Sequence, residues 1–185
     1  PQFRTIRRRN NVYSLRMAVG GGGLMAKITF YGFESYEKKL QDLSKDIERI
    51  ENEAIYLAAK EVADEVKAGI HWLNTGSLSG NETPEESQRR AKQKQGLLES
   101  FGISPMETDG GFRNVKLGFD GYNAVRTPKY PNGQPNVMVA RIFNSGTSFS
   151  SKQPFFDNAI RLTRNRAKKI MKETIEGAIE EKMKE

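Results

Sequence analysis

Apolar residues recur along one long stretch of this chain at the spacing of a single helical face. A 3-4-3-4-3 spacing separates Leu40, Leu43, Ile47, Ile50, Ala54 and Leu57. After a one-residue shift, the pattern continues at a spacing of four through Ala58, Val62, Val66 and Ile70. This periodicity predicts one amphipathic helix over about residues 34–73. At about 1.5 Å per residue such a helix is roughly 60 Å long, more than one small domain covers. We therefore expect part of the stripe, including Leu43, Ile47 and Ile50, to contact another subunit.

The composition favours one domain of ordinary size. The chain has 185 residues, of which 36% are hydrophobic, and this is little for two separate cores. It contains no cysteine, which excludes disulfides and thiolate metal sites. No apolar run approaches the ~20 residues that span a bilayer, so we expect no association with a membrane.

The net charge of +7 is concentrated near the N-terminus. Residues 1–24 contain five arginines and no acidic residue, which leaves +2 for residues 25–185. These arginines are candidates for non-specific contacts with DNA phosphates: Arg4, Arg7, Arg8, Arg9 and Arg16. Four glycines lie just before Met25 and indicate a boundary. Residues 1–24 are then either a basic arm or a segment upstream of a native start at Met25.

Turn-forming residues divide the middle of the chain. Residues 76–95 are polar, and we expect a loop or insertion there with at most one helical turn. Alternating apolar positions then predict strands within residues 96–103, 112–120 and 137–143. The intervening turn chemistry favours an antiparallel sheet with a projecting loop over residues 122–136.

The end of the chain has a second helical pattern. Pro154 suits the first turn of a helix, and apolar positions recur from Phe155 towards the C-terminus. The order helix, sheet, helix predicts an α+β fold. In it, a small, mostly antiparallel sheet packs against a long N-terminal helix and a C-terminal helix. Residues 25–185 would form this single domain.

No set of residues in the sequence has the pattern of a catalytic or cofactor site. His71 is the only histidine, which excludes a multi-histidine metal site and would force any Ser-His-Asp triad to use it. The glycine run before Leu24 is not followed by the Lys-Ser/Thr of a phosphate-binding loop. We therefore expect no enzyme activity, no bound metal and no cofactor.

Four segments carry a resemblance to a known family. They are a strand-like segment at residues 114–123, a segment ending in Gly146-Thr147 at residues 140–147, a Pro-Phe helix start at residues 153–156, and residues 96–101. Their order and spacing resemble the tail-component proteins that join head to tail in tailed bacteriophages, over about residues 26–180. Asn144 departs from this pattern, because many relatives have an acidic residue there. The polar insertion is also longer than the pattern needs.

The resemblance implies a structural virion protein that is made in the bacterial host cytoplasm and acts in tail completion or head-tail joining. It implies a homo-oligomeric ring at the neck, with six copies favoured, that docks on other neck, connector or tail-tube proteins and lies near packaged DNA. Residues at the strand-to-helix corner would be architectural: Asn144, Ser145, Gly146, Thr147, Pro154, Phe155 and Phe156. Two alternatives stay open, a tail terminator that caps the tail tube and a basic DNA-binding protein.

Overall fold

A computed structural model describes residues 34–75, 83–148 and 150–184, and its elements confirm the predicted α+β class. In chain order they are α1 (Glu34–His71), α2 (Pro84–Ser100), β1 (Phe101–Ile103), β2 (Glu107–Asp109), β3 (Phe112–Asn114), β4 (Leu117–Phe119), α3 (Asn136–Ser145) and α4 (Phe155–Lys184). The long first helix and the C-terminal helix were both expected. The predicted basic arm, its five arginines and the candidate start at Met25 lie outside the described residues.

The strands form two small antiparallel sheets rather than one. In the first, β1 pairs with β4, with Phe101 opposite Phe119. In the second, β2 and β3 form a hairpin whose turn, Gly110-Gly111, has positive φ at both glycines, as a two-residue hairpin turn requires. The single strand predicted over residues 112–120 is therefore wrong, because its two halves pair with different partners.

The polar segment predicted as a loop contains most of α2. Thr83 and Glu86 form a capping box: the Thr83 side chain accepts from the Glu86 amide at 3.3 Å, and the Thr83 amide donates to the Glu86 carboxylate at 3.4 Å. Pro84 follows at the first helical position, where its missing N–H removes no hydrogen bond. Since α2 continues to Ser100, only the last part of the strand predicted over residues 96–103 is extended.

The strand predicted over residues 137–143 is also wrong, because this segment belongs to α3. Its buried residues are Asn136, Val139, Ala140 and Phe143, a spacing of three, one and three residues that matches one face of a helix. A short apolar run does not distinguish a strand from a buried helix by periodicity alone. The burial pattern shows which of the two this sequence adopts.

The described residues fall into two compact units. The central unit comprises residues 49–176, and the described part of the terminal unit comprises residues 34–48 and 177–184. Within the terminal unit, the Lys39 ammonium donates to the Met183 carbonyl at 2.8 Å, and Lys182 pairs with Asp46 at 3.0 Å. The start of α1 thus lies beside the end of α4.

The core of the central unit draws on all four helices and on β1. It comprises Ala63, Val66, Ile70, Leu73, Leu97, Phe101, Val139, Ala140, Phe143, Phe155 and Ala159. Gly69 brings α1 close to the start of α4, because a Cβ on this glycine would lie 3.2 Å from the Phe155 Cβ. In the described part of the chain, no helix has the length and apolar character needed to cross a membrane.

Leu97 of α2 provides a test of this packing, since its side chain is 0% exposed. We expect Leu97→Ala to lower the free energy of unfolding by about 2–5 kcal/mol, because it removes buried methyl groups and leaves a cavity. Leu162→Ala is the matched control, because Leu162 also lies in a helix but is 56% exposed. It should change the free energy of unfolding by less than about 0.5 kcal/mol. Equal effects of the two variants in urea titrations would contradict the packing described here.

Candidate assembly site

The connection between α3 and α4, residues 144–156, is called here the α3–α4 corner. Its turn depends on Gly146, which has φ 75° and whose amide donates to the Ile142 carbonyl at 2.9 Å to end α3. A Cβ at this position would lie 2.8 Å from the Lys152 amide nitrogen. The conformation and the space both require glycine. The corner follows a helix, however, and not the strand that was expected before it.

Backbone hydrogen bonds hold the rest of the corner. Thr147 and Ser150 exchange two of them, at 2.8 and 3.3 Å, and so form an isolated antiparallel bridge. The Gln153 amide then donates to the Phe143 carbonyl at 2.8 Å, which places the chain beside α3 again before α4 begins. Ser145, the last residue of α3, is exposed, and Pro154 lies half-buried immediately before α4.

The side chain of Gln153 joins the corner to the end of α1. The Asn74 amide donates to Gln153 Oε1 at 2.7 Å, and Gln153 Nε2 donates to the Asn74 carbonyl at 3.0 Å. The side-chain amide thus pairs with a backbone peptide group as a neighbouring strand would. Sequence reasoning missed this contact because the two residues are 79 positions apart and neither has a local signal.

Asn144 caps the N-terminus of α4 from the neighbouring helix. Its Oδ1 accepts from the amides of Phe156 at 3.1 Å and Asp157 at 3.3 Å, two of the N–H groups that a helix start leaves without an internal partner. Its Nδ2 donates to the Asp157 carboxylate at 3.0 Å. An acidic residue could accept the same two amide hydrogens but could not donate to Asp157. The carboxylate at Asp157 therefore gives a physical reason for an amide at Asn144.

Phe155 and Phe156 fix the start of α4 to the first sheet. Phe155 is buried against Gly69, and its ring meets that of Phe119 at 6.2 Å and 74°. Phe156 lies 6.4 Å from Phe101 at 81°, an edge-to-face arrangement. Such aromatic pairs stabilise by about 0.5–1.5 kcal/mol beyond the area that they bury. These ring contacts join the end of the corner to β1 and β4.

The apolar stripe of α1 changes character along its length. In the terminal unit Leu40 is 56% exposed, Ile47 is 49% exposed and Leu43 is half-buried. Ile50, in the central unit, is only 4% exposed. Ile50 is therefore a residue of the interior, which corrects its assignment to a surface between subunits. We call Tyr36, Leu40 and Ile47 the terminal apolar face, because they follow one another at spacings of four and seven residues and are all exposed.

The segment predicted as a projecting loop, residues 122–136, is partly packed. Asn123, Val125 and Asn136 are buried. The Asn123 amide donates to the Gln134 carbonyl at 2.9 Å, and the Gln134 amide donates to the Val125 carbonyl at 3.0 Å. A groove of about 580 Å³ borders it, between α2 and the chain after β4. Asn123 Nδ2 and Asn136 Oδ1 are buried near this groove without a hydrogen-bond partner. The base of this loop is consequently poorly suited to a protruding contact.

The structure also places the histidine and the acidic side chains that could take part in catalysis or metal binding. His71 is exposed in the last turn of α1, and Lys94 donates to its carbonyl at 2.6 Å, where a cation also suits the helix dipole. Residues 34–75, 83–148 and 150–184 contain no group of three or more His, Asp or Glu side chains placed to hold a metal ion.

Comparisons of the chain with protein-family models, with curated proteins and with solved structures returned no match.

The Asn144 cap can be tested by substitution. We expect Asn144→Ala to lower the free energy of unfolding by about 1–2 kcal/mol, because two amides at the start of α4 lose their acceptor. Asn144→Asp should also be destabilising at neutral pH, by about 1 kcal/mol, because it replaces the hydrogen bond to Asp157 with a like-charge contact.

The double variant Asn144→Asp/Asp157→Asn separates the cap from the charge, since it restores a donor and an acceptor with the roles exchanged. Its free energy of unfolding in urea should return to within about 0.5 kcal/mol of the wild type. A double variant no more stable than Asn144→Asp alone, or a wild-type value for Asn144→Ala, would show that Asn144 does not cap α4.

Proposed function

We propose that this chain is a structural virion protein of a tailed phage or prophage, and that it completes the tail or joins it to the head by forming a ring at the neck. The observation that carries the proposal is the terminal apolar face, on the part of the 38-residue helix α1 that belongs to the terminal unit. The order of motifs that resembles the phage family supports it. In this proposal the chain acts by docking, without a catalytic step or a cofactor.

Within the described part of the terminal unit, which consists of two helix ends, little is placed to cover this face. The Lys39–Met183 and Lys182–Asp46 contacts between these helix ends are polar. Leu40 and Ile47 remain about half exposed there, although they continue the stripe that is buried further along α1. Isolated exposed apolar residues are common, but a row of them along one helical face is typical of an interaction surface.

A neighbouring copy is the occupant that the proposal assigns to this face. A standard interface buries about 800 Å² per partner, and at about 25 cal/mol per Å² this is a large driving force before the entropic cost of association. If the face meets a different surface of the next copy, the contact is head-to-tail and can close into a ring. The α3–α4 corner would hold α4 in the same place in every copy.

The tail-terminator alternative uses the same kind of ring and differs in what the ring docks on. A terminator would contact the last ring of the tail tube, whereas a completion protein would contact the connector at the head. The genes beside this one give a simple first observation. Portal, capsid and tail-tube genes nearby would support either phage role, and an isolated chromosomal locus would contradict both.

The double variant Leu40→Asp/Ile47→Asp tests the proposal. We expect it to fold, because both side chains are already half exposed, but to be absent from purified phage particles and to abolish infectivity in a complementation assay. The matched control is Tyr56→Asp/Leu57→Asp, because these residues lie on the same helix within the central unit and are 39% and 42% exposed. Circular dichroism and urea unfolding would establish that both variants are folded.

The expected result is normal incorporation and infectivity for the control and loss of both for the variant in the terminal unit. Normal particles from a folded Leu40→Asp/Ile47→Asp protein would rule out the terminal apolar face as an assembly surface. Equal loss with the two variants would mean that any added surface charge is harmful, and would remove the support that this face gives to the proposal.

A further inference from the structure

The part of α4 between Asp157 and Glu173 is strongly basic. It contains six cations and no acidic residue: Arg161, Arg164, Arg166, Lys168, Lys169 and Lys172. The net charge of residues 25–185 does not reveal this local excess of cations. The reason is that α1 carries ten acidic and six basic residues, which offset the cations of α4 in the sum.

Three of these cations share the exposed face of α4. Arg161, Arg164 and Lys168 are spaced three and four residues apart, so they lie on one side of the helix, and all three are exposed. The buried residues Phe155, Ala159 and Thr163 mark the opposite side. We call Arg161, Arg164 and Lys168 the basic face of α4.

The other cations of this stretch have acidic neighbours. Arg166 bonds to Glu61 at 2.9 Å and to Glu65 at 3.0 Å, so it is directed towards α1. Lys169 lies 3.7 Å from Glu173, and Lys172 lies 3.7 Å from Glu176, each one helical turn further along α4. In the part of the chain that the structure describes, the three residues of the basic face have no acidic side chain within ion-pair distance. Their charge is therefore available to an external anion.

We propose that the basic face of α4 binds the sugar-phosphate backbone of duplex DNA without reading its sequence. Along the helix axis, Arg161 to Lys168 covers about 10.5 Å, which equals roughly three nucleotides of one strand measured along the duplex axis. Each cation can thus meet a separate phosphate. The two guanidinium groups suit this role because they donate two parallel hydrogen bonds to phosphate oxygens.

This inference goes beyond the proposed function, because an isolated chain can bind the backbone without forming a ring. It also differs from the expectation that DNA affinity belongs to the arginines of residues 1–24. The two contributions are separable, since substitutions on α4 leave those arginines in place.

The test is the affinity of the full-length protein for a 30-base-pair duplex of arbitrary sequence, measured by fluorescence anisotropy between 50 and 200 mM salt. We expect Arg161→Gln/Arg164→Gln/Lys168→Gln to weaken binding by about tenfold or more at 50 mM salt. Three lost phosphate contacts should also make the slope of log affinity against log salt shallower by about 2.7.

Two further variants serve as comparisons. Lys60→Gln/Arg89→Gln/Arg126→Gln removes the same three charges from exposed sites on three other segments, and should weaken binding by less than about threefold. Substitution of the five arginines of residues 1–24 by Gln measures the contribution of that segment. Unfolding midpoints equal to the wild type would show that no variant acts through stability.

The proposal is overturned if the α4 variant and the charge-matched comparison lose the same affinity, since the effect would then be one of net charge. It is equally overturned if the wild type does not bind the duplex at 50 mM salt, or if only the arginines of residues 1–24 matter. An acidic polypeptide that binds as tightly as DNA, with the same dependence on α4, would identify a protein partner instead. None of these results depends on ring formation, so they do not bear on the proposed assembly role.

Discussion

The contact between Gly69 on α1 and Phe155 at the start of α4 is the constraint on which the rest of the central unit depends. A Cβ on Gly69 would lie 3.2 Å from the Phe155 Cβ, so even an alanine there would require one of the two residues to shift by a few tenths of an ångström. With Phe155 seated there, Phe156 reaches the ring of Phe101 and so attaches α4 to the first sheet.

The polar bonds of the α3–α4 corner depend on the same placement. Gln153 reaches the backbone of Asn74 and Asn144 reaches the first amides of α4 only because α4 begins beside the end of α1. The cap and the bridge satisfy backbone groups that would otherwise lack partners near the core. Together they join the ends of α1, α3 and α4.

The long helices were predictable from the sequence because their apolar positions recur over many turns, and the α+β class followed from their order. The pattern over Leu40 to Ile70 identified α1 but not where its stripe becomes buried, since periodicity does not show where the core ends. Helix α2 was missed although Thr83, Pro84 and Glu86 are a standard helix start. Its few apolar residues gave no period. The Asn144 cap and the Gln153 bridge join distant parts of the chain, so no local pattern could have predicted them.

Cryo-electron microscopy of particles produced by the phage or prophage that carries this gene would show directly whether the protein forms a ring at the neck. We expect a rotationally symmetric ring of copies, with Leu40 and Ile47 of each copy covered by its neighbour. A single unpaired copy, a ring in which these two side chains face solvent, or particles that lack the protein would contradict it.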